Sequence, residues 1–403
     1  MNGSIRLRWT GWRSPGPWLA LLVLGIGAAA WNTGAPQLYL LALLLLSALL
    51  VGALLPHFNI RGVVVSRSLP AEVTEGDRVN MQLELTRSGW LARYLLQLRD
   101  RLPFSLEPAA PLLVMRLGRP QTLQCEVTCE RRGIHRVGPL TLASDYPLAL
   151  LCAETVVPQS EAEICVLPQT FEVQGLPLFG RSGFPTEGHQ VGPAARGQDQ
   201  FAAIRDYRHG DSLRHIHWRA SARRGEWVVK EYEQLENAEL LLVLNACAAD
   251  NPGEGRESCF EYSVRIAASI ARFAIENGHK VGLFCQASRL YWLPPDSGEP
   301  HFRQLLQLLA AVEADSHQPY SEMMAAAATL VSRQTRLLLF HTCHSRSTEP
   351  PAAPGSHEQQ PLLICFDGPS FSGAARLAGA ESSANPLLYW IRAGDNLAEH
   401  FAV

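Results

Sequence analysis

The chain has 403 residues, 47% of them hydrophobic and 18% charged, with a formal net charge of -3. That length and apolar content supply cores for two or three domains and exclude a disordered chain. The near-neutral balance excludes a nucleic-acid binder working through bulk electrostatics, which needs a strongly basic surface.

Two apolar runs open the chain, residues 17–31 and 38–55, separated by the uncharged turn Asn32, Thr33, Gly34, Ala35, Pro36 and Gln37. The second run is close to the roughly 20 residues that cross a bilayer, and the first reaches that length with its flanks. The pattern predicts a transmembrane helical hairpin over residues 1–58. Arg6, Arg8 and Arg13 precede the first run, and Arg61 and Arg67 follow the second. Positive charge outside both ends predicts that both termini face the cytoplasm. Trp18, Trp31 and Tyr39 fall near the interfaces, where amphipathic aromatic rings collect. A cleaved signal peptide is the competing reading, but no small-x-small site followed by polar sequence intervenes before Leu38 resumes the apolar pattern.

Residues 59–170 change to short alternating segments punctuated by Gly, Pro and Asp, the spacing of an antiparallel β-sandwich. No carboxylates, histidines or nucleophile are grouped there at catalytic spacing. Nine cysteines are scattered through apolar runs in an odd number, unlike a disulfide framework, so they read as reduced core residues in a reducing compartment. Cys125 with Cys129, and His341 with Cys343 and His344, lack a second ligand pair at zinc spacing. No metal and no cofactor are expected.

Residues 171–236 contain the densest polar block of the chain, between Gly197 and Glu233. A turn with Tyr207, Arg208, Gly210 and Asp211 leads into a helical pattern carrying Ile216, Trp218 and Ala222, then an alternating strand pattern at residues 227–232. One reading is an internal clamp. Asp211 caps a helix starting near Ser212, Arg214 and Arg223 pair with acidic neighbours, and Trp218 and Ile216 are buried at the junction. In the other, Arg219 and Arg224 face outward and meet a protein partner beside Trp218. His209, His215 and His217 invite an acid-base reading, yet on a helix His215 and His217 point in different directions.

Residues 237–403 switch to continuous apolar runs, the mark of buried strands in a mostly parallel sheet, alternating with helical patterns at residues 260–277, 301–314 and 321–333 and a weaker one near 371–379. A doubly wound α/β domain is expected. Residues 288–293 add a hairpin strand, and residues 345–360 form a Pro-, Ser- and Glu-rich loop.

The block resembles the signature of the bacterial domain-of-unknown-function 58 family, carried by Gly197, Phe201, Arg205, Tyr207, Gly210, Asp211, Arg214, Ile216, Trp218, Ala222, Arg223, Lys230, Glu231 and Glu233. The α/β segment is similar to a von Willebrand factor A domain. Such domains bind a divalent cation at the end of the first strand through Asp-x-Ser-x-Ser, a hard oxygen set. Here Asn245, Cys247 and Ala249 stand at those positions, and Asp250 lies just beyond in the wrong register, so the cation chemistry is expected to be lost. The resemblance implies a non-enzymatic scaffold or adaptor of the bacterial inner membrane, its soluble domains cytoplasmic. It also implies partners, a MoxR-type AAA+ ATPase and a transglutaminase-like membrane protein. The alternative is an enzyme that uses the Arg- and His-rich residues 205–224 on an anionic substrate.

Overall fold

The computed structural model describes residues 5–9, 15–106, 109–176, 199–207, 216–234, 238–330, 335–343, 361–373 and 388–401. The four segments expected from the sequence pack as two compact units, residues 1–169 with 306–312, and residues 170–305 with 313–403. The helical hairpin therefore shares a unit with the β-rich segment, and the signature block shares one with the α/β segment.

The first unit opens with a short strand, β1 (Arg6–Trp9), and two helices, α1 (Pro15–Thr33) and α2 (Pro36–Ile60). Each helix starts at proline, where the missing N–H has no intrahelical acceptor to lose. Gly34 closes α1 in the left-handed region at φ 64°, donating its N–H to the Ala30 carbonyl at 2.9 Å. Both helices are long and apolar enough to cross a membrane.

Ten further strands follow: β2 (Val63–Ser68), β3 (Glu72–Thr74), β4 (Arg78–Arg87), β5 (Arg93–Arg99), β6 (Leu112–Leu117), β7 (Gln121–Thr128), β8 (Gly133–Val137), β9 (Leu140–Ser144), β10 (Leu151–Val157) and β11 (Ala162–Leu167). They form three sheets, ordered β1-β10-β9-β5-β6, β2-β4-β7 and β3-β11-β8. All three contribute to one apolar core. Strand β4 shows why: Val79, Met81, Leu83 and Leu85 are buried while Arg78, Asn80, Gln82 and Glu84 between them are exposed. The expected all-antiparallel arrangement is broken at one place, where β3 runs parallel to β11. Strands β1, β3 and β10 had no clear alternation to announce them; β10, for example, buries both Cys152 and Ala153 in succession.

Because β1 precedes α1 and pairs antiparallel with β10, the chain leaves this body into α1 and rejoins it through α2. The junction at the end of α2 is polar and fully used. Asn59 donates to the Tyr94 carbonyl at 2.5 Å and to Ser144 Oγ at 2.6 Å, and accepts from the Tyr94 N–H at 3.0 Å. Near the middle of the helix, Gly52 faces Leu150 so closely that a Cβ there would lie 2.6 Å from it. Arg67, expected among the topology-setting surface charges, is instead buried in β2 and paired with Asp100; their side chains are 1% and 7% exposed. The alternation of β2 places it on the inner side, and Asp100 just past β5 makes that position tolerable for a guanidinium.

The second unit contains β12 (Asp199–Asp206), α3 (Trp218–Arg224) and β13 (Val228–Gln234), with β12 and β13 paired antiparallel. A larger sheet with its helices follows, comprising β14 (Glu239–Leu244), α4 (Cys259–Glu276), β15 (Lys280–Gln286), β16 (Leu290–Asp296), α5 (Glu299–Ala311, of which residues 306–311 group with the first unit), α6 (Tyr320–Ala328), β17 (Thr335–Cys343), β18 (Leu362–Asp367), α7 (Gly368–Phe371), β19 (Leu388–Ile391) and α8 (Leu397–His400). Its strand order is β16-β15-β14-β17-β18-β19. Only the β15–β16 pair is antiparallel. The central strand β14 is buried at every position from Leu240 to Leu244, as the continuous apolar run predicts for a strand covered on both faces. Met323, Met324 and Ala327 of α6 cover one face against Leu241, Val243 and Leu339. On the other face, Tyr262 of α4 meets Phe371 edge-on, and Phe371 in turn meets Phe366.

Ser258 caps α4, its Oγ accepting from the Glu261 N–H at 3.3 Å, and Gly278 follows the helix at φ 79°. The helix expected over residues 321–333 ends at Ala328, and of the weak pattern near 371–379 only Phe371 is helical among the described residues, as the last residue of the short α7 at Gly368–Phe371. Residues 374–379 and the loop at 345–360 lie outside the described residues.

Candidate functional site

The signature block folds around α3. Ile216 forms an isolated bridge to Val229, and the His217 N–H donates to the Val228 carbonyl at 2.8 Å, so this stretch is extended rather than helical. The helix begins at Trp218, two residues past Ile216, and is capped by His217, whose Nδ1 accepts from the Ala220 N–H at 3.2 Å. That bond occupies the Nδ1 lone pair, leaving the proton of the neutral ring on Nε2. Gly225, at φ 76°, ends the helix by donating to the Ser221 carbonyl at 2.9 Å.

Ser221 pins the helix underneath. It is 7% exposed, and its Oγ accepts from the Val228 N–H at 3.0 Å and donates to the Val228 carbonyl at 3.4 Å. Ile216, Val228 and Val229 are buried beside it. The Tyr207 N–H donates to the Trp227 carbonyl at 2.8 Å, and the two rings meet edge to face with centroids 5.4 Å apart.

The outer side carries the charge. Arg219, Ala222, Arg223, Arg224 and Glu226 are exposed. Trp218, expected as a buried plug, is 64% exposed, and Trp227 is 56% exposed. A seven-residue helix turns barely twice, and small Ser221 takes its inward position, which leaves the indole on the outer side. Arg223, expected to pair with an acidic neighbour, makes no ion pair among the described residues. Gly210, Asp211 and Arg214, with Arg208, His209 and His215, lie outside the described residues. Of the groups named for an enzyme, His217 is engaged in capping and Arg223 is exposed. The sequence reading missed Ser221 and Trp227; a small hydroxyl at the inward position of an Arg-rich helix is the signal that points to the first.

The second place singled out by the sequence is the carboxyl end of β14. There Asn245, 4% exposed, donates to Asp250 Oδ2 at 2.9 Å and accepts from the Cys247 N–H at 3.0 Å. Asn251 donates to the carbonyls of Asn245 and Cys247, both at 2.8 Å. The 3-10 turn at Ala248–Asp250 swings Asp250 back to the strand end, which corrects the expectation that its register keeps it away. Two side-chain amides thus engage three oxygens at this strand end, Asp250 Oδ2 and the carbonyls of Asn245 and Cys247, and the Ala249 side chain brings no ligand atom. Among the described residues no three His, Cys, Asp or Glu side chains group as metal ligands.

Two thiols of this unit are held in the protonated form. Burial pushes the Cys259 thiol up to about 12, and the hydrogen bond with Cys343, followed by burial, holds the Cys365 thiol far above its ordinary value. A protonated thiol is a poor nucleophile and a poor metal ligand. Tyr320, over the same sheet face, is held well above the ordinary phenol range by burial, then by Cys365 and Asp250.

This arrangement coincides with a recognised sequence grouping. The chain is similar to the Uncharacterized protein YeaD of Bacillus subtilis (strain 168), 25% identical over 317 residues that cover 75% of this chain and 76% of that protein. Residues 203–340, from within β12 through most of β17, match the family described as Protein of unknown function DUF58, which places the α3 hairpin, the β14 end and the helices α4 to α6 inside one shared segment.

Proposed function

We propose that this chain is a non-enzymatic, membrane-anchored adaptor whose α3 face docks an acidic protein partner. One observation carries the reading: Trp218 on α3 and Trp227 just past its end stand 64% and 56% exposed, with Arg219, Arg223 and Arg224 exposed on the same helix, which Ser221 ties to Val228. Exposed tryptophan beside arginine is the composition of interface hot spots, and a pinned helix loses little freedom on binding. The excess of three arginines over Glu226 favours an acidic counterpart.

The anchor in this reading is the α1–α2 hairpin, spanning the bacterial inner membrane twice. The β1–β10 pairing supports a hairpin that begins and ends on one side, and Arg6, Arg8 and Arg61 favour the cytoplasmic side. The second unit is read as a von Willebrand factor A-like domain, supported by the strand order of its sheet and its antiparallel edge strand β16. Its cation position is served instead by the amides of Asn245 and Asn251. The family resemblance directs the choice of partner to a MoxR-type AAA+ ATPase, with a transglutaminase-like membrane protein in the same assembly.

The test is photo-crosslinking from α3 in native membranes, read by mass spectrometry, for the wild type and for Arg219→Glu with Arg224→Glu. The expected result is an AAA+ ATPase crosslink that falls by about tenfold or more in the variant. An undiminished crosslink in a folded variant defeats the docking assignment.

A further inference from the structure

The β4–β5 loop of the first unit carries the largest apolar exposure on the β-rich body. Trp90 is 87% exposed and Leu91 is 53% exposed. Two such side chains at a loop tip are unusual for a water-facing surface. The loop is also fixed in position. The Ser88 N–H donates to the Gly62 carbonyl at 2.8 Å and Ser88 Oγ donates to the same oxygen at 3.1 Å. Arg93 Nη2 donates to the Arg61 carbonyl at 2.9 Å, and Arg87 bonds the Gly89 carbonyl within the loop. Trp90 and Leu91 are therefore tied to the two residues that directly follow α2.

Length sets the depth of that attachment. From Pro36 to Ile60 a helical rise of 1.5 Å per residue spans roughly 36 Å, beyond the ~30 Å hydrocarbon core and within the ~40–45 Å that includes both headgroup layers. The apolar exposure of α2 continues to Phe58, 51% exposed, so the lipid-facing side of the helix reaches almost to the loop. Arg61, Arg87 and Arg93 surround the tip. Burial, then the charge of Arg87, lowers the Arg93 pKa from its ordinary value, while the guanidinium stays cationic. Arg87 donates to the Gly89 and Gly118 carbonyls and Arg93 to the Arg61 carbonyl, which leaves exposed Arg61 as the cation for a lipid phosphate while the indole settles at the acyl boundary.

We infer that Trp90 and Leu91 seat in the bilayer interface beside the end of α2, making the β4–β5 loop a third membrane attachment that fixes the tilt of the β-rich body against the lipid surface. This rests on the reading that the hairpin spans a membrane. The occupant is lipid; a protein covering the loop is the competing outcome.

The full chain is reconstituted in vesicles of phosphatidylcholine and phosphatidylglycerol, with or without bromine on the acyl chains near the headgroups. Emission of Trp90 is isolated as the difference between the wild type and Trp90→Phe, and that of Trp31, at the hairpin turn, by Trp31→Phe. The expected result is at least about twofold quenching of both components by brominated lipid. Quenching of Trp31 without Trp90 overturns the loop attachment and leaves the spanning hairpin standing. If neither component is quenched, the spanning reading falls and the inference falls with it.

Discussion

Two groups of arginines in this protein show how little a cation in a sequence says about where it points. In the first unit Arg67 is enclosed, 1% exposed, with Asp100 as its counter-ion. In the second unit Arg219, Arg223 and Arg224 are exposed on a helix whose inward position belongs to Ser221. Both groups follow from register. Strand alternation carries Arg67 inward and a carboxylate 33 residues away makes that affordable, whereas α3 is too short to bury more than one face. The lesson is that an inward arginine is detected by its distant acid, and an outward one by the small residue that occupies the inward place.

The sharpest way to break the comparison is to remove the acid. Asp100→Ala leaves a buried guanidinium, two of whose nitrogens, Nε and Nη1, already lack partners among the described residues. The expected destabilisation is about 3–5 kcal/mol, measured by denaturant unfolding of the first unit's transition. Replacing the pair together, Arg67→Met with Asp100→Leu, is expected to recover most of that loss, because removing both charges leaves neither buried without its partner. A double variant as unstable as the single one would show that the pair does more than satisfy itself.

The end of β14 offers the corresponding test in the second unit. Asn245→Ala removes the acceptor for the buried Cys247 N–H and the donor to Asp250. A loss of about 2–3 kcal/mol is expected, with faster amide exchange at Cys247. Addition of magnesium to the wild type is expected to leave its unfolding midpoint unchanged, since the amides already bind the oxygens. A magnesium-dependent rise in the midpoint would mean that the amides yield to a cation and that this end of the sheet retains ligand chemistry.

Much of the framework was legible in the residues. The hairpin, the alternating strands such as β4 and the apolar runs of β14, β15, β17 and β18 follow from hydrophobic period alone. The pairing of β1 with β10 was not legible, because four residues ahead of an apolar helix carry no signal of a distant strand. The amide closure at Asn245 was half legible: the missing carboxylate and hydroxyl were visible, but the return of Asp250 depends on a 3-10 turn that period does not announce. Trp218 misled because a large indole in a polar block reads as a core anchor. Its exposure is decided by helix length and by the register that Ile216 and Val229 impose, both of which are tertiary facts.

On α3 itself the expected effects are smaller and their contrast is the informative part. Ser221→Ala leaves the Val228 N–H without its acceptor, at an expected cost of about 1–2 kcal/mol to the unfolding midpoint. Arg219→Glu with Arg224→Glu is expected to shift stability by no more than about 0.5 kcal/mol, the scale of exposed substitutions remote from packing. A small part of that comes from Arg224, which sits in the last turn where a cation favours the helix dipole. Inward and outward roles are separated by this pair of measurements. If the arginine variant proved as destabilised as Ser221→Ala, the two guanidiniums would be holding the hairpin together, and the outward face would lose its claim on a partner. If it unfolds with the wild type while Ser221→Ala does not, the charge on α3 contributes nothing to the fold, and binding is left as the property on which it acts.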